Sequence, residues 1–250
     1  MSGLLYNLGR KVGPKVRKAK WMWQSVAGSE ADAIKVEYEV GRDLACEIRR
    51  ELGSGRNESG KMPDRLLNEI GRRLAACTAN ESRRFTFEIV EGAEPNAFAL
   101  PGGFVFVTQS LVELCGHNPD EVAFILGHEM GHIIRGHAMN RIISTSAIAA
   151  VSRAAPVHGM LAGWLRRVGV QFVESAYSQD LESEADRFGV HLAAAAAYEP
   201  RACVQLFRRL AELRTSAYQV DLGSYFSSHP PFDVRIRNIN RLLHKLRQGA

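Results

Sequence analysis

Apolar side chains recur at helical spacing over residues 29–52, where Ile34, Tyr38, Val40, Leu44, Cys46 and Ile48 share an approximate face. Ser29 and Asp32 precede that face at capping-box spacing, so a helix is predicted to start there. GSGRNESGKMP then reads as a loop, and a second helix is expected from Pro63 to about Cys77. The pattern changes at FTFEIV (85–90), NAFAL (96–100) and FVFVT (104–108), three short runs rich in strand formers, parted by EGAEP and by a PGG turn. They predict a small antiparallel sheet. Everything after them is helical in pattern, giving a mostly helical α+β fold.

One of the later helices has a clear start: Asn118 can cap it, Pro119 suits its first turn, and Glu121 stands three residues after the cap. It contains ILGHEMGHIIRGH (125–137). Further on, residues 142–177 are moderately apolar but interrupted by Arg153, Arg166 and Arg167. A spanning helix needs about 20 unbroken apolar residues, so no transmembrane segment is expected, although an interfacial hairpin stays open.

A chain of 250 residues, 46% hydrophobic and 24% charged, can bury one sizeable core. We expect a basic tail over 1–28 and a single domain over 29–250. Cys46, Cys77, Cys115 and Cys203 lie too far apart for a zinc knuckle or a disulfide scaffold, and are read as reduced, mostly buried thiols. The first uncharged run stops at Arg10 and contains Asn7 and Gly9, so no secretory signal is expected and a cytoplasmic location is.

The formal charge of +5 is concentrated in the tail. Arg10, Lys11, Lys15, Arg17, Lys18 and Lys20 precede the first acid, Glu30, and without these six the net charge becomes −1. No nucleic-acid partner is expected. With Leu4, Leu5, Tyr6, Leu8, Trp21 and Trp23 beside its cations, the tail suits an anionic membrane surface, where each basic residue contributes about 1 kcal/mol. Packing of the tryptophans on the domain, or a transit peptide interrupted at Gly13-Pro14, are the alternatives.

The chemistry lies in HEMGH. Histidines at i and i+4 project from one helical face, so neutral nitrogens of His128 and His132 can converge on one cation, most commonly zinc. Glu129 is offset by about 100° from His128 and about 60° from His132, where it can flank the metal without binding it. That placement suits a general base acting on water activated by the metal. His137, about 180° around a continuous helix from His128, is expected on the far face. Since Arg135 and Ala138 occupy the glycine and histidine positions of a metzincin motif, the third ligand must come from elsewhere. SQDLESEADRFG (178–189) offers it: Glu182 and Asp186 share a helical face, while Glu184 is rotated about 200° from Glu182. Glu182 could complete a His₂Glu site, and Asp186 could accept the free N–H of a ligand histidine.

Together these motifs resemble the HtpX and CAAX prenyl protease family of zinc metallopeptidases, a branch of the gluzincins, over roughly residues 85–240. EPNAFALPGGFVFVT (94–108) is similar to the family's substrate-side strand, and SSHPPFDVRI (227–236) to its late His-Pro segment. The resemblance implies a zincin-like domain with one Zn²⁺ per chain held by His128, His132 and Glu182. It implies Glu129 as catalytic base, Asp186 as support for a ligand, and His229 over the metal. There His229 would be an oxyanion donor, assisted by Arg235, or else a latch that sits on the zinc.

If FVFVT formed a free sheet edge, an extended peptide could pair with it, using Phe104, Val105 and Phe106, with Gly102 and Gly103 leaving room for the backbone. The expected activity is zinc-dependent endopeptidase cleavage of extended or unfolded polypeptide segments, in protein quality control by family likeness. The alternative is a zinc-containing, chaperone-like module that holds such segments with little or no cleavage.

Overall fold

The computed structural model describes residues 29–53, 62–145, 177–215 and 232–248. The basic tail, His229 and most of 142–177 lie outside the described residues, as do the expectations placed on them.

Helix α1 (Glu30–Leu52) begins as the sequence predicts: the Ser29 side chain accepts the Asp32 N–H, and the Asp32 carboxylate accepts the Ser29 N–H in return. Its inner face is Val40, Leu44, Ala45 and Ile48. Helix α2 (Met62–Ala76) buries Leu67, Ile70 and Leu74. Between these helices lies the sheet of β1 (Thr86–Val90), β2 (Ala97–Leu100) and β3 (Phe104–Thr108).

The strand order is β1-β3-β2, with β3 parallel to β1 and antiparallel to β2. The sheet is therefore mixed, which corrects the expected antiparallel one. Its β2–β3 hairpin turns at PGG as anticipated. The segment before the hairpin, however, carries the chain across to the far side of β3's position. Thr108 pins that crossing, because its hydroxyl donates to the Glu94 carbonyl at 3.0 Å and accepts the Asn96 N–H at 2.8 Å.

The same order removes the free edge expected at FVFVT, since β3 has a neighbour on each side. Phe104 and Phe106 pack on α1 together with Phe98 and Leu100, whereas Val105 and Val107 face α2 and the helices beyond. Phe104, Val105 and Phe106 are core residues, at 4%, 0% and 0% exposure. Gly102 and Gly103 likewise serve the turn: their φ values are +77° and +104°, and a Cβ would stand 2.3 Å from the Tyr38 Cα and 1.8 Å from the Arg84 carbonyl oxygen, respectively.

Six further helices complete the described residues: α3 (Gln109–Leu114), α4 (Pro119–Ile134), α5 (His137–Thr145), α6 (Gln179–Ala195), α7 (Ala202–Thr215) and α8 (Phe232–Gln248). Helix α4 is central, and every residue from Glu121 to Ile133 is buried. It has no wet face. Asn118 caps it by accepting the Asp120 N–H at 3.0 Å, while Glu121, expected to complete a capping box, instead forms an ion pair with Arg209 of α7. All four cysteines are free, but only Cys115 and Cys203 are buried, so "mostly buried" holds for half of them. Among the described residues no helix is long and apolar enough to cross a membrane.

Candidate metal centre

Helices α4 and α6 meet along small residues. A Cβ on Gly189 would lie 2.9 Å from the His128 amide nitrogen, and one on Gly127 would lie 3.2 Å from the Gly189 Cα. Gly131 faces Ala185 in the same way, at 3.3 Å from its Cα. With no side chains to hold them apart, the two backbones come close enough for short groups to bridge them.

The bridge is the predicted triad. His128 Nε2 and His132 Nε2 are 3.1 Å apart, Glu182 Oε1 is 3.2 Å from His132 Nε2, and Glu182 Oε2 is 3.5 Å from His128 Nε2. All three residues are at most 1% exposed. A tetrahedral ion bound at about 2.0–2.1 Å keeps its donors about 3.3 Å apart, so these spacings fit such an ion. The donor chemistry fits as well: three electron-rich atoms, converging where water is excluded, repel one another unless a cation or proton lies between them.

Around the triad stands a layer of supporting groups. The Nδ1–H of His128 donates to Asp186 Oδ1 at 3.0 Å, leaving Nε2 to face the triad. Arg235, from α8, holds the same carboxylate with two bonds, Nε to Oδ2 at 2.9 Å and Nη2 to Oδ1 at 2.6 Å, and sets Nη1 3.3 Å from Glu182 Oε2. Its guanidinium also lies over the Phe207 ring at 4.4 Å. Arg235, expected to assist an oxyanion donor that lies outside the described residues, is here a clamp on the two acids. Burial pushes the Asp186 carboxyl up, yet the Arg235 charge and the bond from His128 bring it below the usual carboxylate value. For His128 burial opposes the charged form, but the bond to Asp186 and the charge of Glu182 outweigh it and raise the pKa. His132 is held well below the ordinary histidine value by burial.

His137 is not on the far face. Helix α4 ends at Arg135, Gly136 takes φ +73°, and His137 opens α5, so the phase of α4 does not carry across the break. Its Nδ1 stands 3.1 Å from His132 Nδ1, and its Nε2 stands 3.4 Å from Glu184 Oε2. Burial lowers its pKa to about 4, so the ring is neutral at pH 7.

Tyr177 was missed by the sequence reading. Its ring stacks on His132 with centroids 3.9 Å apart and planes at 16°, and the Arg141 guanidinium covers it at 4.3 Å. Burial, with the charges of Glu129 and Glu182, pushes its phenol well above the usual value, so it stays protonated. The available signal was an aromatic residue directly before the serine that starts α6. Glu129 is 1% exposed, on the turn of α4 that carries both histidines.

Comparison with known proteins agrees with this chemistry. Residues 61–243 match the model of peptidase family M48. The chain is 26% identical over 215 residues to the mitochondrial metalloendopeptidase OMA1 of Schizosaccharomyces pombe, covering 84% of this chain and 62% of that protein. It is 27% identical over 216 residues to the metalloprotease YcaL of Escherichia coli, covering 84% and 80%. A second Escherichia coli protein, the metalloprotease LoiP, is 27% identical over 205 residues, covering 79% and 77%. With most of its length matched and two histidines and a glutamate drawn together as a metal site, this chain belongs to peptidase family M48 and is a metallopeptidase.

Proposed function

We propose that the protein is a zinc endopeptidase that cuts extended or unfolded polypeptide segments. The observation that carries this reading is the sealed triad of His128, His132 and Glu182, whose ligand atoms all lie within 4.8 Å of one another. Two imidazoles and one carboxylate are a catalytic zinc set, which keeps a position open for water or substrate. When bound, the metal polarises the scissile carbonyl and acidifies water.

The remaining work belongs to the chain. Glu129 takes the proton from the attacking water and passes it to the departing amine. Asp186 holds His128 by its Nδ1–H, and Arg235 holds Asp186. By the family resemblance, His229 would stabilise the carbonyl oxygen or else sit on the zinc as a latch.

The substrate class rests on the family likeness. Quality control is the setting that such a preference suits. A module that holds segments without cutting them finds no support here, because a buried Glu129 beside the ligands has no use in a purely structural site.

The test is metal-dependent cleavage. Unfolded casein should be cut by the purified protein, the activity should vanish with a chelator, and one equivalent of zinc should restore it. Cleavage that survives complete metal removal would refute the reading.

A further inference from the structure

We propose that His137 and Glu184 form a relay of positioning residues that holds His132 in its metal-ligating tautomer. The proposal rests on the metal reading above and extends it to residues outside the ligand set.

Once His132 Nε2 is given to the ion, the direction of each hydrogen bond follows. His132 turns Nε2 toward His128 Nε2 at 3.1 Å and Glu182 Oε1 at 3.2 Å, so that nitrogen must offer a lone pair to the ion. Its proton then resides on Nδ1, which lies 3.1 Å from His137 Nδ1. Two ring nitrogens at that separation share one proton, so His137 Nδ1 accepts. The remaining proton of His137 is on Nε2, directed at Glu184 Oε2 at 3.4 Å. Glu184 is itself held by Arg135, Nε to Oε1 at 3.3 Å.

The two histidine ligands are therefore anchored differently. His128 has a carboxylate directly on Nδ1, whereas the Nδ1 of His132 meets a second imidazole, which in turn meets a carboxylate. The His137 side chain is 4% exposed and that of Glu184 is 36% exposed, so the relay runs from the protein surface to a fully buried ligand. Outer-shell partners of metal-bound histidines typically contribute 10–100-fold to metal affinity.

The experiment uses the full chain and measures zinc affinity by chelator competition, together with the visible spectrum of bound cobalt(II). His137→Phe keeps a ring but removes the acceptor, and should weaken zinc about 10–100-fold and alter the cobalt spectrum. His137→Asn restores an acceptor near Nδ1 and should recover most of that loss. Glu184→Ala, at the surface, tests the outer link even if the Phe variant folds poorly, and should weaken zinc several-fold, with Glu184→Gln falling between it and wild type. Unchanged affinity in a folded His137→Phe, or equal losses in the Phe and Asn variants, would overturn the relay, as would wild-type affinity in Glu184→Ala. Wild-type protein that takes up no zinc would overturn the metal reading itself, a result distinct from any of these.

Discussion

Asp186 and His128 are joined at 3.0 Å across two helices, and the same carboxylate is gripped by Arg235 from a third. One acid thus orients a ligand and ties α4, α6 and α8 together at the centre of the fold.

Removing that acid should have two separable effects. Asp186→Ala is expected to weaken metal binding about 10–100-fold through the loss of His128 orientation. It should also destabilise the metal-free protein by about 3–5 kcal/mol, because Arg235 is left as a buried charge lacking its main partner. Chelator competition reads the first effect and urea denaturation the second. Asp186→Asn, which can still accept from His128, should retain more of the affinity than of the stability.

The glycine contact between α4 and α6 predicts a steric result. An alanine at 189 brings a Cβ to 2.9 Å from backbone nitrogen, which no rotamer change can relieve. Helix propensity alone would favour alanine by about 1 kcal/mol, yet overpacking costs about 1–3 kcal/mol. Gly189→Ala should therefore lower both stability and metal affinity. A more stable variant with wild-type affinity would show that the close approach is not needed.

Metal uptake should depend on pH with a definite sign. His128 has a raised pKa, so in the metal-free protein it holds a proton at and somewhat above pH 6.5, while His132 is already neutral there. Binding needs the Nε2 lone pair, so the ion must displace that proton. Affinity should rise with pH and level off above the raised pKa of His128, with about one proton released per ion below it. Calorimetry in buffers of different ionisation enthalpy counts the proton. Release of two near neutral pH would contradict the assignment of His132 as neutral.

His137 adds a dependence of the same sign, also rising with pH, to the stability of the metal-free fold. Its pKa falls from 6.5 to about 4 on folding, so the unfolded chain takes up the proton first. The stability associated with its neutral form is complete above pH 6.5 and is lost as pH falls toward 4. Urea titrations of wild type and His137→Phe should converge across that window.

These residues also mark how far the sequence was legible. His128, His132, Glu182 and Asp186 were readable because each pair lies within one unbroken helix, where spacing fixes direction. His137 was not, because Gly136 at φ +73° ends that regularity one residue earlier. The three strands were readable from composition and turns, but not their order. That order needs the connecting segment to cross the end of β3, where Thr108 bonds Glu94 and Asn96, a contact that local composition does not announce. Tyr177 left little trace, since stacking on His132 is a contact between segments 45 positions apart with no periodicity to announce it.

The most direct measurement is cleavage of unfolded casein by Glu129→Gln, with zinc content determined on the same sample. The substitution keeps the shape of the side chain and leaves all three ligands intact, but it removes the group that accepts the proton. The account predicts full zinc occupancy with cleavage reduced at least about 100-fold, within the range general acid–base catalysis supplies. A variant that retains zinc and cleaves at the wild-type rate would contradict it.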